Sequence, residues 1–587
     1  MAAPNVVRAA TAAVLLLTGA AMAALTWRGW PDPFVDFGRE LYVPWRLAEG
    51  DRLYTDVAWF NGPLSPYVNA LLFRLFGPGL MVLAAANAVV LAAVVAMLTA
   101  LTARISDRTT ALAAGLLFLL VFGFGQYVGI ANYNWISPYS HDLTHGIALA
   151  LAAVWALDHW RRTGARLAPA LSGLALGLCF LTKPETFLAG AAGCLALLAG
   201  PLRRREPETM AWMGAALLPP VVSALALGLP GTLGAWPSVM AGEVARLPFY
   251  RAGLGFDDPM LRLEETLLWG AVWGVGLFVP VSAAWLARET RSRWAPVLAF
   301  AVTAAILLAA GEAVPWTESL RPLQLGLLVV VAALAVPSAR GAGNARGSEA
   351  AGEPDEDAVE PPTALALAVL ALVLLTKMAL NVRVGHYGFG LAAPAAVVML
   401  VALLRWLPDL LDRRGVRGDV VRASVLGLLV VFCIAQVRTT AAWMDRKTER
   451  VGEGRDAFRA DVRGAWIRMA AEHVREAGYG SIAVVPEGVL INYLARVPNP
   501  TPYVNFMPPE EILFGGAAWA AAFRAAPPDA IVIVPKDTSE FGRGPFGFGY
   551  GQELAAWIRE TYVPEASLGV EGYTFEVRVL VRRNPPT

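Results

Sequence analysis

Residues 80–103 read Leu80-Met-Val-Leu-Ala-Ala-Ala-Asn-Ala-Val-Val-Leu-Ala-Ala-Val-Val-Ala-Met-Leu-Thr-Ala-Leu-Thr-Ala103, without a single charge. As a helix rising 1.5 Å per residue, the stretch is roughly 36 Å long, enough to cross a hydrocarbon core of about 30 Å. Comparable runs fall at 9–26, 110–129, 142–158, 167–182, 186–202, 209–230, 266–286, 294–310, 322–338, 363–380, 387–404 and 421–437. Hydropathy therefore predicts about 13 spans.

Composition agrees. Of 587 residues, 56% are hydrophobic and only 16% are charged, where a soluble protein carries about a quarter charged. The net charge of +1 gives no footing for a nucleic-acid partner. Cys179, Cys194 and Cys433 lie in apolar runs, with neither metal spacing nor a disulfide framework. The first run resembles a signal peptide, but as an uncleaved anchor it keeps the charge parity of the loops.

That parity sets an orientation. Arg104, Arg108, Arg161, Arg162, Arg166, Arg203-Arg204-Arg205, Arg288, Arg291, Arg293, Arg413, Arg414 and Arg417 occupy every second connection. The positive-inside bias makes that side cytoplasmic. The opposite side then carries the 27–79 loop, the 130–141 loop, the Lys183 tip, the 231–265, 311–321 and 381–386 loops, and the C-terminal tail. Four arginines in the 27–79 loop (Arg28, Arg39, Arg46, Arg52) run against the bias.

Two segments are not membrane. Residues 339–362, rich in Gly, Ala, Pro and acid, predict a disordered cytoplasmic linker. Residues 438–587 predict a separate domain. Asp456–Ala477 reads as an amphipathic helix, Ser481–Pro486 and Asp529–Pro535 as buried strands, Gln552–Tyr562 as a helix and Tyr573–Arg582 as a strand. The fold class is thus a polytopic α-helical membrane protein, with a membrane unit at 1–437 and a small extracytoplasmic α/β domain. The stretch Gly544–Gly551 lacks the strand-to-helix setting of a phosphate loop.

Chemistry-bearing residues gather on the proposed outer side. Val35-Asp36-Phe37-Gly38-Arg39-Glu40 puts two carboxylates at i and i+4, on one helix face, after the first span. Asp36 sits among Phe34, Val35 and Phe37, an apolar setting that would raise its pKa toward that of a base. Asp32, Asp51 and Asp56 read as turn and cap residues. His141 and His145 have the spacing of a helical zinc pair, but the zincin pattern wants Glu after the first His, where Asp142 stands. Polar contacts explain the two histidines better than a metalloprotease does. At the 181–186 tip, Lys183 could pair with Glu185 or neutralise a lipid-linked phosphate. Arg246, Arg251, Arg321, Arg383 and His386 could add to a positive rim, although each alone reads as an interfacial anchor.

Asp36-Phe37-Gly38 with Leu41-Tyr42-x-Pro44, Leu53-Tyr54-x-Asp56 and Gly62-Pro63-Leu64-x-Pro66-Tyr67 resembles the first periplasmic loop of GT-C glycosyltransferases. The nearest branch is related to protein O-mannosyltransferases and the lipid A aminoarabinose transferase. Gly177-Leu178-x-Phe180-Leu181-Thr182-Lys183-Pro184-Glu185 and Pro486-Glu487-Gly488 with Pro500-Thr501-Pro502-Tyr503 extend the likeness. The family often has two adjacent acids, whereas Phe37 follows Asp36 here. The resemblance implies a polyprenyl-phosphate sugar donor, inverting transfer to a glycan, lipid or protein acceptor, and Asp36, with Glu40 second, as the catalytic carboxylate. It implies Lys183, Arg246, Arg251, Arg383 and His386 against the donor phosphate. Tyr42, Asp56, His141, His145 and Glu185 would support the acceptor side. Some relatives use a divalent metal and others do not, and one firm carboxylate favours the metal-independent course. A lipid-linked sugar flippase is the alternative, but Asp and Glu are almost absent from the span interiors and no internal repeat is visible. A non-catalytic relative, with the outer domain as an assembly module, is a third.

Overall fold

The computed structural model describes residues 4–234, 236, 242–290, 292–344 and 361–583. A helix occurs at each predicted span: α1 (Pro4–Leu25), α4 (Leu80–Ile105), α5 (Arg108–Leu117), α6 (His141–Thr163), α7 (Ala168–Phe180), α8 (Pro184–Arg204), α9 (Pro207–Thr232), α10 (Pro259–Leu286), α11 (Ala295–Ala310), α12 (Leu323–Asn344), α13 (Pro361–Leu375), α14 (Gly388–Asp412) and α15 (Gly418–Asp445). Between α1 and α4 the first loop adds two further helices, α2 (Phe37–Glu49) and α3 (Leu64–Phe76).

Among the described residues, eight helices are long and apolar enough to cross a membrane. Arg108–Gly123, Ala168–Phe180, Ala295–Ala310 and Pro361–Leu375 are apolar but shorter. Helix α6 has the length, yet it carries His141, Asp142, His145, Asp158, Arg161 and Arg162. Its buried Asp158 is ion-paired with Arg104 of α4 and accepts the Thr363 hydroxyl of α13 at 2.7 Å, so this charge is satisfied by neighbouring helices. Small residues allow the close packing of α7 on α9: a Cβ on Gly173 would lie 2.1 Å from the Trp212 carbonyl oxygen.

The predicted linker is shorter than expected. Helix α12 continues through Asn344 and α13 starts at Pro361, so 339–344 is helical; 345–360 lies outside the described residues. Likewise, 438–445 completes the last turns of α15 and does not belong to the C-terminal domain.

That domain opens with a hairpin, β1 (Glu449–Val451) antiparallel to β2 (Phe458–Ala460), where an early helical start was expected. The buried side chains there alternate along the chain as a strand requires. Helix α16 begins only at Arg463 and runs to Ala477. Four strands follow: β3 (Ile482–Val485), β4 (Ala530–Ile533), β5 (Tyr562–Gly569) and β6 (Glu576–Arg582), in the order β3-β4-β6-β5. The β3–β4 pair is parallel and the other two pairs are antiparallel. Strand β5 escapes prediction because it is a half-exposed edge containing Pro564 and Glu565, with no apolar alternation. Helices α17 (Leu490–Ala495), α18 (Pro508–Phe514), α19 (Gly516–Ala525) and α20 (Gln552–Thr561) complete the domain.

The first loop and the C-terminal domain share one core. Phe37, Leu41 and Trp45 of α2 and Phe73 of α3 pack with Trp466, Ile467, Leu490, Tyr493 and Val532. A Cβ on Gly38 would come within 2.6 Å of the Leu490 backbone nitrogen, so α2 lies directly on α17. The two segments therefore build a single head over the helical bundle.

Candidate active site

Asp32 organises the start of the site. Its Oδ1 accepts the backbone N–H groups of Phe34 (3.0 Å) and Val35 (2.9 Å), and its Oδ2 accepts that of Ala131 (3.2 Å). Arg463 of the C-terminal domain neutralises it at 2.9 Å. Asn132 Nδ2 donates to the Val35 carbonyl at 2.8 Å. These contacts hold the chain so that Asp36, the residue before α2, adopts φ 57° and ψ −50°. Positive φ at a non-glycine costs on the order of 1–3 kcal/mol and concentrates at functional sites.

Asp36 lies in a charged cluster drawn from distant parts of the chain. Its Oδ1 is 2.9 Å from Arg39, and its backbone N–H donates to Glu487 Oε1 at 3.1 Å. Glu487 Oε2 is in turn 2.7 Å from Lys536. Arg39 is buried, lies 5.4 Å from the Phe60 ring centre, and has Glu40 at 3.7 Å. Burial raises the Asp36 carboxyl; Arg39 opposes this, and Glu487 adds to it. Burial works against the charge of Arg39, but the carboxylates, Asp36 first and then Glu40, outweigh it and hold the guanidinium above its ordinary value. Glu510, in the first turn of α18, is buried in reach of Arg39, Glu487 and Asp36, and burial pushes it up to about 7. Its Oε2 makes no hydrogen bond among the described residues.

A second set of cations lies against an aromatic floor. The 181–183 tip is clasped by the first loop: the Gly62 and Leu64 N–H groups donate to the carbonyls of Thr182 (3.0 Å) and Leu181 (3.1 Å). This puts Lys183 Nζ 3.4 Å from the Tyr139 hydroxyl and 4.9 Å from its ring centre. Lys377, just past α13, pairs with Glu185 and lies 5.1 Å from the Tyr387 ring centre. The rings of Tyr139 and Tyr387 are 5.3 Å apart, and Tyr133 and His386 are 4.8 Å apart. Tyr139 feels the charges of Lys377, Glu185, Asp36 and Arg39.

The remaining expected residues lie in separate settings. Glu40 Oε2 accepts the His141 backbone N–H (3.0 Å) and meets its Nδ1 (2.6 Å), thereby tying α2 to the start of α6. His141 Nε2 is 3.0 Å from Asn87 and His145 Nδ1 is 3.0 Å from Ser65, so these histidines serve local polar contacts. Tyr42 takes the Asn499 N–H at 2.8 Å, and Asp56 closes its own turn on the Arg52 N–H at 2.8 Å. His386 borders the floor, held down to about 4 by burial and then by Arg383. Arg383 itself feels the charges of Glu318, Arg321, Arg262 and Glu265. Arg246 and Arg251 are exposed, and Arg251 donates to the Phe256 carbonyl at 3.1 Å. Among the described residues, no group of three or more His, Cys, Asp or Glu could hold a metal ion.

Sequence reasoning passed over Arg39, Lys377, Tyr139, Tyr387, Glu510 and Lys536 as site residues. Arg39 counted only as an exception to the charge bias. Lys377 left a usable signal, a lone cation closing an apolar run.

Residues 61–226 match the family model for dolichyl-phosphate-mannose-protein mannosyltransferase. Over this segment the chain is similar to that family of membrane glycosyltransferases. The match covers the Gly62 loop, the His141 loop and the Lys183 tip, but begins after Asp36. No curated protein matches the sequence. Similar solved structures include the oligosaccharyltransferase of Archaeoglobus fulgidus in complex with Zn and sulfate, at 14% identity and TM-score 0.47, covering 96% of this chain and 72% of that one. The same enzyme tethered to an acceptor peptide aligns at 13% identity and TM-score 0.48, over 97% and 74%. ArnT from Cupriavidus metallidurans bound to undecaprenyl phosphate aligns at 13% identity and TM-score 0.43, over 98% of each chain.

Proposed function

We propose that this membrane glycosyltransferase moves a sugar from a polyprenyl phosphate to an acceptor hydroxyl, with inversion, on the extracytoplasmic face. The observation that carries the reading is a carboxylate with raised pKa, Asp36, held 2.9 Å from Arg39 and within electrostatic reach of Tyr139, the ring that Lys183 contacts and whose hydroxyl also feels Lys377. The arginine-rich connections at the other end support a cytoplasmic N-terminus and an extracytoplasmic head. The units proposed are a membrane part, 1–437 extended through the end of α15 at Asp445, and a C-terminal domain over the remainder, which share their core through α2 and α3.

In this mechanism the acceptor hydroxyl attacks the anomeric carbon from the side opposite the phosphate. Asp36 takes the hydroxyl proton as the new C–O bond forms. The bond from the anomeric carbon to the phosphate oxygen breaks, and its electrons leave with the lipid phosphate. Lys183 and Lys377 stabilise that growing charge. Arg39 orients Asp36, and Glu40 secures α2 against α6 rather than touching substrate. His386 lines the floor, and the mechanism assigns no step to Arg246, Arg251 or Arg383. The carboxylates nearest Asp36 are already paired with Arg39 or Lys536, or face Arg39, and offer no three-ligand metal set; no step uses a metal.

The test is transfer from a panel of radiolabelled polyprenyl-phosphate sugars in membranes carrying wild type or Asp36→Asn, with source-cell extract as acceptor. Wild type should transfer one sugar, and Asp36→Asn should lose about 100-fold or more. A wild type that moves intact lipid-linked sugar between leaflets and transfers nothing would establish the flippase reading instead.

A further inference from the structure

Helices α1 and α4 do not close on each other along their length. Between them runs a groove of about 2060 Å³, extending from Trp27 and Trp30 at the head end to a cluster of arginines at the other. Its α4 wall is a stripe of small residues, Ala88, Ala92 and Ala96, spaced one helical turn apart and exposed. Gly19 and Ala23 of α1 face it.

The arginine end is a shaped site. Asp107 caps α5 through the Thr110 N–H at 3.0 Å and is shared by Arg422 at 2.6 Å and Arg405 at 4.0 Å. This fixes two guanidinium groups on the groove wall. Arg8 of α1 and Arg108 of α5 also line it; both are exposed and make no ion pair among the described residues. Among the described residues Asp107 is the one carboxylate on the wall, and Asp409 pairs with Arg405 at 2.9 Å, so Arg8 and Arg108 leave the end with an excess of positive charge.

We infer that this groove binds an anionic membrane phospholipid, its phosphate among Arg8, Arg108, Arg405 and Arg422 and one acyl chain along Ala92–Ala103. That stretch of helix is roughly 18 Å long, close to the depth of one leaflet. Apolar wall and cationic end complement the two halves of such a lipid. The site lies at the far end of the bundle from Asp36 and does not depend on what the head catalyses. Only its assignment to the cytoplasmic leaflet rests on the proposed orientation.

Native mass spectrometry of the full chain, titrated with phosphatidylglycerol or phosphatidylcholine, tests it. Wild type should retain phosphatidylglycerol roughly tenfold better than phosphatidylcholine. Arg8→Gln with Arg108→Gln should erase that preference, and Ala96→Phe should displace the adduct, each at an unchanged melting temperature. Equal retention of both lipids by wild type overturns the inference without any variant. So does an adduct indifferent to the substitutions, or one with the mass of a polyprenyl phosphate. Sugar transfer is read separately, so loss of the adduct with intact transfer leaves the catalytic reading untouched.

Discussion

The Asp36 backbone N–H donates to the carboxylate of Glu487 at 3.1 Å, across 451 positions of sequence. The same Glu487 holds Lys536 at 2.7 Å. The conformation of the proposed base is thus set partly by a residue in another segment, on a chain turn with positive φ that would relax without it.

From this relationship, Glu487→Ala should reduce sugar transfer by about one to two orders of magnitude while the donor KM changes little. It would leave Lys536 buried and unpaired, so Glu487→Ala with Lys536→Met should be more stable than Glu487→Ala alone. Steady-state kinetics and thermal melts of the single and double variants check both. Equal melting temperatures would contradict the pairing.

Glu510 gives a pH dependence. Its carboxyl is raised from 4.5 to about 7, so the folded protein binds more protons than the unfolded chain between those values. Its contribution to stability is full below about 4.5 and is lost as pH rises through about 7. The total is on the order of 3 kcal/mol. Glu510→Gln should flatten the decline in melting temperature between pH 5 and pH 8. A slope as steep as wild type would show that another group titrates.

Lys183 and Lys377 are proposed to take the departing phosphate, whereas Arg383 lies with Glu318 and Glu265. Lys183→Met and Lys377→Met should each weaken donor binding by about 1.5–3 kcal/mol, roughly a ten- to hundredfold rise in donor KM if binding is at equilibrium. Arg383→Met should leave donor KM near wild type. Measuring KM for the lipid-linked sugar in all three decides between the cations inferred from sequence and those placed by the fold.

Gly62 carries the clasp on the 181–183 tip. A Cβ there would lie 2.0 Å from the Leu181 carbonyl oxygen, which is backbone and cannot swing aside. Gly62→Ala should therefore cost about 1–3 kcal/mol and shift Lys183, lowering both melting temperature and transfer. Gly274→Ala, with nothing within 4 Å, should leave both intact.

Much of the membrane architecture was legible because each helix carries its own signal. An uncharged run such as 80–103 needs no partner to be recognised, and α4 follows it within two residues. The shorter segments were harder. β5 is defined by pairing with β6, not by its own alternation, and the Glu449–Ala460 hairpin exists only because its two halves meet. Helix α6 was readable as a span despite its charges, but the Arg104–Asp158 pair that neutralises its buried Asp158 is a contact between helices.

For the candidate site, local sequence singled out Asp36 by its apolar neighbours, and Lys183 by its place at a tight tip. It placed Glu40 and Asp36 on one helix face, which says nothing of what either touches. Glu40 is consumed by His141, while Arg39, one position away, turns to Asp36. Lys377, Glu487, Glu510 and Lys536 come from segments with no local mark of their common destination.

The sequence alone determined that the chain is a bundle of membrane helices with a small α/β head, because hydrophobic length and period are properties of single segments. Only the tertiary structure decided which charges surround Asp36 and which cations face it. Burial and electrostatic coupling depend on distances between segments far apart in the chain, and no local pattern encodes those distances.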